Sequence, residues 1–299
     1  MLQMVHRRAL FVAVAALLLI APGLSLSRPA VAQDRPVLRF GTGAADLSTL
    51  DPHYASGTQD RTVVDMIFNA LVRFKPGDAS VIEPDLATAV PEPVMEGDKQ
   101  TWTFTLRDGV MCHPWQGGEA YALTADDVVY SLQKSANKDS SAYPADYAGM
   151  TVAKVDDTTV KITMDSPLSP TLFLPKVANY NGGFIVCSKA VEALGLDGFK
   201  TQPVGTGPFR FDSYTPQTNV TLVANDDYFR GAPKLGGVEV RYMPDATSRE
   251  LALQSGELDA ASGVNEAQWV DRINADGTLT ADVFGPGEVA FVNLNVENE

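Results

Sequence analysis

From Phe184 onward the chain alternates between short apolar runs and helix starts, and no other feature restricts its fold as much. Phe184 to Cys187, Val220 to Val223, Val238 to Met243, Leu258 to Ala261 and Val289 to Leu294 read as strands. Helical segments separate several of them. Ser188 opens a short helix that Gly195 can end, Asp245 can cap another that holds Leu251 and Leu253, and Asn265 to Asn274 reads as a third. Strands alternating with helices imply α/β architecture.

Upstream of residue 184 the pattern changes. Val37 to Phe40 is a short strand that ends in Gly41-Thr42-Gly43, and Val63, Ile67 and Leu71 mark one helical face across Thr58 to Leu71. Thr101 to Arg107 alternates strictly, with Trp102, Phe104 and Leu106 on one side. Thr124 starts a helix whose first turn carries Asp126 and Asp127 at its positive end and whose buried stripe is Val128, Val129 and Leu132. Val152 to Met164 reads as a hairpin turning at Asp156-Asp157, and Pro170 occupies the first position of a further helix. This stretch is expected to form a separate β-containing unit.

The N-terminus reads as an address. Arg7 and Arg8 precede the apolar run Ala9 to Ala21, and Ala30-Val31-Ala32 offers small residues for cleavage before Gln33. The run is shorter than the ~20 residues a membrane span needs. Residues 1–32 are therefore expected to be a cleaved secretory signal peptide. With no Cys near the cut, a soluble periplasmic product without lipid is expected. Cleavage removes three arginines and no acid. Basic residues fall from 23 to 20 against 37 acids, leaving a net charge of −17. Such a surface repels nucleic acid and anionic headgroups. Export permits a bridge between Cys112 and Cys187, but their separation in sequence favours reading them as two buried thiols.

Several motifs, in order, resemble the family 5 extracellular solute-binding proteins, which include dipeptide-, oligopeptide- and nickel-binding members. They are Leu50-Asp51-Pro52, Glu83-Pro84-Asp85-Leu86-Ala87, Thr101 to Val110, Leu123-Thr124-Ala125-Asp126-Asp127, Pro203 to Phe209, Asn225 to Gly231 and Ser255-Gly256-Glu257-Leu258-Asp259. The loop Met111 to Ala122 is longer than the family's usual turn. The resemblance implies a periplasmic binding protein-like fold of type II, cluster C. One α/β lobe would comprise 37–56 and 182–265, with a β-rich subdomain, 57–181, inserted in it. Residues 266–299 would begin a second lobe, so the chain reads as an N-terminal portion. It further implies a hinged monomer that closes on a peptide or other small solute. That closed form would deliver the solute to ABC permease subunits and their ATPase subunits, and no cofactor is implied.

Candidate ligand-binding residues follow from the same placement. The loop Tyr54 to Asp60 comes after the first strand, on the side where open α/β sheets bind ligands, and lines the cleft in the family. Tyr54, Gln59 and Asp60 offer an aromatic face, an amide and a carboxylate. Asn179, Tyr180 and Asn181 sit where the chain re-enters the first lobe, placed either to bond a peptide backbone or to form a turn. Asn265 follows a strand end, where it is either a contact or a helix cap. Trp115 is either a stacking wall or packing for its own loop.

Two other ligand and function classes compete with peptide capture. Nickel chelates, sugars and opines are bound by members of the same family, and these residues exclude none of them. An exported hydrolase fits poorly. The mature chain has two histidines, His53 and His113, and contains neither a Gly-x-Ser-x-Gly elbow nor a His-Glu-x-x-His motif. Cys112 and His113 are adjacent, so they face apart on a strand and make a poor metal set. Gly205-Thr206-Gly207 has Arg210 where a dinucleotide loop has its third glycine.

Overall fold

The computed structural model describes residues 35–179 and 181–283. The expected signal peptide, the candidate Tyr180 and the expected strand Val289 to Leu294 lie outside the described residues.

The larger sheet has five strands in the order Phe209–Thr215, Asn219–Ala224, Gly237–Tyr242, Val37–Thr42, Ala260–Ala261. Val37–Thr42 runs parallel to both its neighbours, and the remaining pairings are antiparallel. The period-2 pattern explains which face is dry. Val220, Leu222 and Ala224, with Val238, Val240 and Tyr242, turn into the core. On the opposite face, ion pairs replace apolar contacts. Arg39 meets Asp259 at 2.8 Å, and Arg241 bridges Glu239 at 2.9 Å and Glu257 at 3.0 Å.

A second sheet, all antiparallel, has the order Val94–Glu96, Lys99–Thr105, Thr159–Met164, Met150–Asp156. Trp102 and Phe104 face inward with Val160, Ile162 and Met164. The helix Pro170–Phe173 delivers Phe173, whose ring stacks on Trp102 with centroids 4.2 Å apart. The helix Ala125–Ala136 packs against Met150–Asp156. Its first turn is fixed by Asp127. One carboxylate oxygen accepts the Thr124 amide at 3.0 Å; the other accepts Tyr121 Oη at 2.7 Å and the Ser188 amide at 2.9 Å.

The chain segments are sewn together around residue 205. Asn69–Ala70 pairs with Phe184–Ile185, and Gly207 donates to the Ile67 carbonyl at 2.8 Å. A Cβ on Gly205 would lie 2.2 Å from Ile67 O, so only glycine lets these backbones meet. The Val204-Gly205 backbone accepts both the His113 amide, at 2.8 Å, and the Cys187 amide, at 3.4 Å.

That convergence corrects the reading of the cysteines. Cys112 and Cys187 form a disulfide, with Cα atoms 5.9 Å apart and a sequence separation of 75. Neither the short strand Met111–Cys112 nor the helix cap at Cys187 says in sequence that one loop holds both.

Several element ends also differ from expectation. The first helix is Thr58–Ile67 and stops short of Leu71, because Phe68 turns extended to feed the pairing of Asn69–Ala70. Gly195, at φ 71° and ψ 165°, does leave the helical conformation as expected, but a second short helical segment follows it directly, so the helical stretch runs on as Ser188–Phe199. Leu258 binds back to the Ala252 carbonyl, which shortens the expected strand to Ala260–Ala261. The last described helix is Ala267–Asp276 with Glu266 at its N-cap, so Asn265 is not the cap.

Candidate functional site

The carboxyl ends of three parallel strands, Gly237–Tyr242, Val37–Thr42 and Ala260–Ala261, lie side by side, the position at which open α/β sheets hold ligands. The loops leaving them are fastened to one another. Met243 donates its amide to Thr42 O at 2.9 Å, Ser262 to Gly41 O at 2.9 Å, and Gly43 to Ser262 Oγ at 2.8 Å. Beneath these loops, Arg249 of the helix Ala246–Gln254 donates Nε to Ser262 O at 2.9 Å. Its Nη1 goes to the carbonyls of Met243 and Pro244. The helix itself begins as expected, with Asp245 accepting the Ser248 amide at 2.8 Å.

A second group joins the loop after Val37–Thr42 to the helix Thr58–Ile67. Asp60 Oδ1 accepts the Ser48 amide at 2.7 Å, and Asp46 Oδ1 accepts Tyr214 Oη at 2.8 Å. Burial, with the Asp46 hydrogen bond added, pushes the Tyr214 phenol up to about 12. Burial first, and then the charge of Asp46, holds the Tyr242 phenol far above its ordinary value. Asp60 Oδ2 and the Tyr242 hydroxyl are enclosed without a hydrogen-bond partner among the described residues.

The predicted residues fall into two sets. Tyr54 is half-buried, with its hydroxyl donating to Asp139 O at 3.1 Å and its ring flanked by Lys134 Nζ and Lys200 Nζ at 5.5 and 5.1 Å. Gln59 folds its amide over Gly57, and Asp60 is spent in part on Ser48. Asn181 sits at φ 42°, and its carbonyl accepts Tyr147 Oη at 3.0 Å. Tyr143 brings these two regions together. Its hydroxyl donates to Ala55 O, and its ring abuts Gly182. Asn179 belongs to the scaffold, its Oδ1 accepting the Phe74 amide at 3.0 Å.

Trp115 and Asn265 stand apart from that group among the described residues. Trp115 packs over Gly118 and edge-on against Tyr121 at 6.4 Å, while lining a groove of about 350 Å³ with His113, Gln202 and Tyr214. Asn265 is exposed in the loop beyond Ala260–Ala261.

Sequence reasoning missed Arg249, Tyr143 and the buried Lys134. Arg249 lies four residues after the cap Asp245, a spacing that marks an exposed helical pair as readily as a buried anchor. Lys134 Nζ is 2.7 Å from Asp51 Oδ2 and 3.3 Å from His53 Nδ1, fully enclosed, although a lysine in a helix ordinarily points to water.

An open sheet with parallel strands ending on a loop-built face, beside a separate antiparallel sheet, defines a lobe of a periplasmic-binding-protein-like solute receptor. The chain belongs to the bacterial extracellular solute-binding proteins, family 5, whose model matches residues 81–299. It is 30% identical over 268 residues to the probable D,D-dipeptide-binding periplasmic protein DdpA of Escherichia coli K12, covering 86% of this chain and 48% of that protein. Its structure resembles that of MoaA from A. tumefaciens R10 in complex with mannopinic acid. The TM-score is 0.73 at 43% identity, over 81% of this chain and 48% of MoaA. It also resembles DppA from Helicobacter pylori in complex with the peptide STSA. There the TM-score is 0.71 at 28% identity, over 81% of this chain and 50% of DppA. The chain spans about half the length of the curated relatives it matches.

Proposed function

We propose that this chain is part of the ligand-capturing component of an ABC importer, acting in the periplasm on peptides and handing them to membrane permease subunits powered by ATPase subunits. Family membership over residues 81–299 is the observation that carries this reading. Relatives named as dipeptide- and di/tripeptide-binding proteins support the peptide class. In this reading the protein binds its solute without transforming it. Residues 37–56 and 182–265 form the lobe that presents the ligand face, and 57–181 form an inserted unit. Tyr54, Gln59, Asp60 and Asn181 border the cleft from one side and Asn265 from the other. Capture draws on excluding water and satisfying the solute's polar groups, and closure follows from tighter binding to the closed form.

An opine-type ligand is the second reading, favoured by the 43% identity to the mannopinic acid complex, well above the 28% to the peptide complex. A thermal-shift and calorimetric comparison of the mature full-length protein separates the two. Di- and tripeptides raising the melting temperature at micromolar concentration support peptide capture. A response to mannopinic acid alone moves the assignment to opines, and silence to both sets the reading aside.

A further inference from the structure

We propose that Arg249 is a carboxylate-binding group of the ligand face, so that the captured solute presents an anionic end to the loops at 43, 244 and 262. This inference rests on the solute-capture reading and adds a chemical class to it.

Charge accounting singles the residue out. Among the described residues two cationic side chains are buried, Lys134 and Arg249. Lys134 has Asp51 at 2.7 Å, as a buried cation requires. Arg249 is 5% exposed and forms no ion pair with a described carboxylate. The acids beside it make their hydrogen bonds elsewhere, and the Ser248 hydrogen bonds first, with the Arg249 charge last, hold the Asp245 carboxyl below its ordinary value. Asp245 caps Ser248, and Glu250 accepts Arg272 and the Trp269 indole at 3.0 Å. Six other arginines, in a chain with 37 acids, have their own carboxylates: Arg35, Arg39, Arg73, Arg230, Arg241 and Arg272.

The geometry says which edge is free. Nε and Nη1 are spent on three carbonyls, which orient the guanidinium but supply only partial charges. Nη2 donates to no described residue, and it is not among the enclosed atoms that lack a partner. Gly43 covers the flat side. A Cβ there would sit 3.3 Å from Cζ, Nη1 and Nη2 alike, so the glycine keeps the loop low over the guanidinium. A guanidinium held rigidly by three carbonyls, with the N–H groups of Nη2 unspent at the carboxyl ends of parallel strands, offers a charge-assisted contact through that one nitrogen to a carboxylate oxygen. A clasp that only tied loops together would need the three carbonyl bonds and no open edge.

The test uses formate, the smallest carboxylate, on the mature full-length protein. A crystal grown in formate is expected to show a formate oxygen within hydrogen-bond distance of Arg249 Nη2. In solution at matched ionic strength, formate is expected to raise the melting temperature beyond chloride. Arg249→Met should lose that whole increment, and Arg249→Lys, which keeps a charge without the carbonyl-held guanidinium, should lose most of it. If Arg249→Met does not fold, the lysine variant and the wild-type crystal decide the matter. No formate at Nη2, or equal increments in wild type and variants, overturns the proposal. The outcome is separable from the function itself. A protein that binds Ala-Ala and its C-terminal amide equally, with no formate at Nη2, still captures solutes but not through Arg249. Formate at Nη2 in a protein that binds neither peptides nor opines leaves the anion site standing and removes the assigned ligands.

Discussion

Cys112 and Cys187 are joined across 75 residues, and the Val204-Gly205 backbone receives the amide of Cys187 and the amide next to Cys112, so one short loop aligns both ends of the bridge. The bridge closes a long loop of the unfolded chain. Removing it by Cys112→Ala with Cys187→Ala is expected to cost about 2–5 kcal/mol. Denaturant midpoints of the oxidised, reduced and double-alanine proteins measure this. Equal midpoints for all three would show that the backbone contacts at 204–205 suffice without the bridge.

The two histidines make stability depend on pH in one direction. Burial, reinforced for His53 by the charge of Lys134, holds His53 down to about 4, and burial holds His113 to about 4. Unfolded, both titrate near 6.5. Between these values the unfolded chain carries protons that the folded one refuses, so acid favours unfolding. The contribution is complete above about pH 6.5, declines as pH falls toward 4, and is on the order of 3 kcal/mol for each histidine. Urea midpoints of His53→Gln and His113→Gln should fall less than those of the parent between pH 7.5 and 4.5, and equal slopes would show that neither imidazole stays neutral in the fold; Asp65, raised by burial to about 6, acts in the opposite direction in all three proteins.

Lys134 is the partner of that histidine and of Asp51. Lys134→Met leaves the Asp51 carboxylate enclosed with no cation, which is expected to cost about 3–5 kcal/mol. Replacing both residues, with Asp51→Leu added, should recover part of the loss. A double-mutant cycle of thermal midpoints checks this, and additive losses would contradict the coupling.

Legibility in the sequence followed the range of the interactions. Trp102 and Phe104 show their inward face because strand periodicity is written in neighbouring residues, and Asp245 shows its helix start because a cap acts over three residues. The stop at Ile67 was invisible, since Phe68 leaves the helix to meet a strand more than a hundred residues away. Lys134 and Arg249 were missed for a related reason. A buried cation is recognised by its counter-charge or its carbonyls, and these arrive from Asp51, Met243, Pro244 and Ser262 only once the chain has folded. The candidate loop at Tyr54 to Asp60 was locatable from the end of the first strand, but its links to Asp139, Ser48 and Tyr143 were not.

Those links make Asp60 the most informative substitution on the candidate face. Its Oδ1 anchors the loop after Val37–Thr42 through the Ser48 amide, while Oδ2 is enclosed with no partner among the described residues. Asp60→Asn keeps an oxygen for Ser48 and removes a buried carboxylate, so it should fold with stability within about 1 kcal/mol of the parent. Asp60→Ala strands the Ser48 amide and is expected to cost about 1–3 kcal/mol. Faster hydrogen exchange at Ser48 should accompany that loss. If the loop positions the solute, ligand affinity should follow the same order, with the asparagine variant near the parent and the alanine variant weaker. An asparagine variant that folds normally yet loses affinity would instead mean that the Asp60 charge acts on the solute directly, and the anchoring role would give way to a contact.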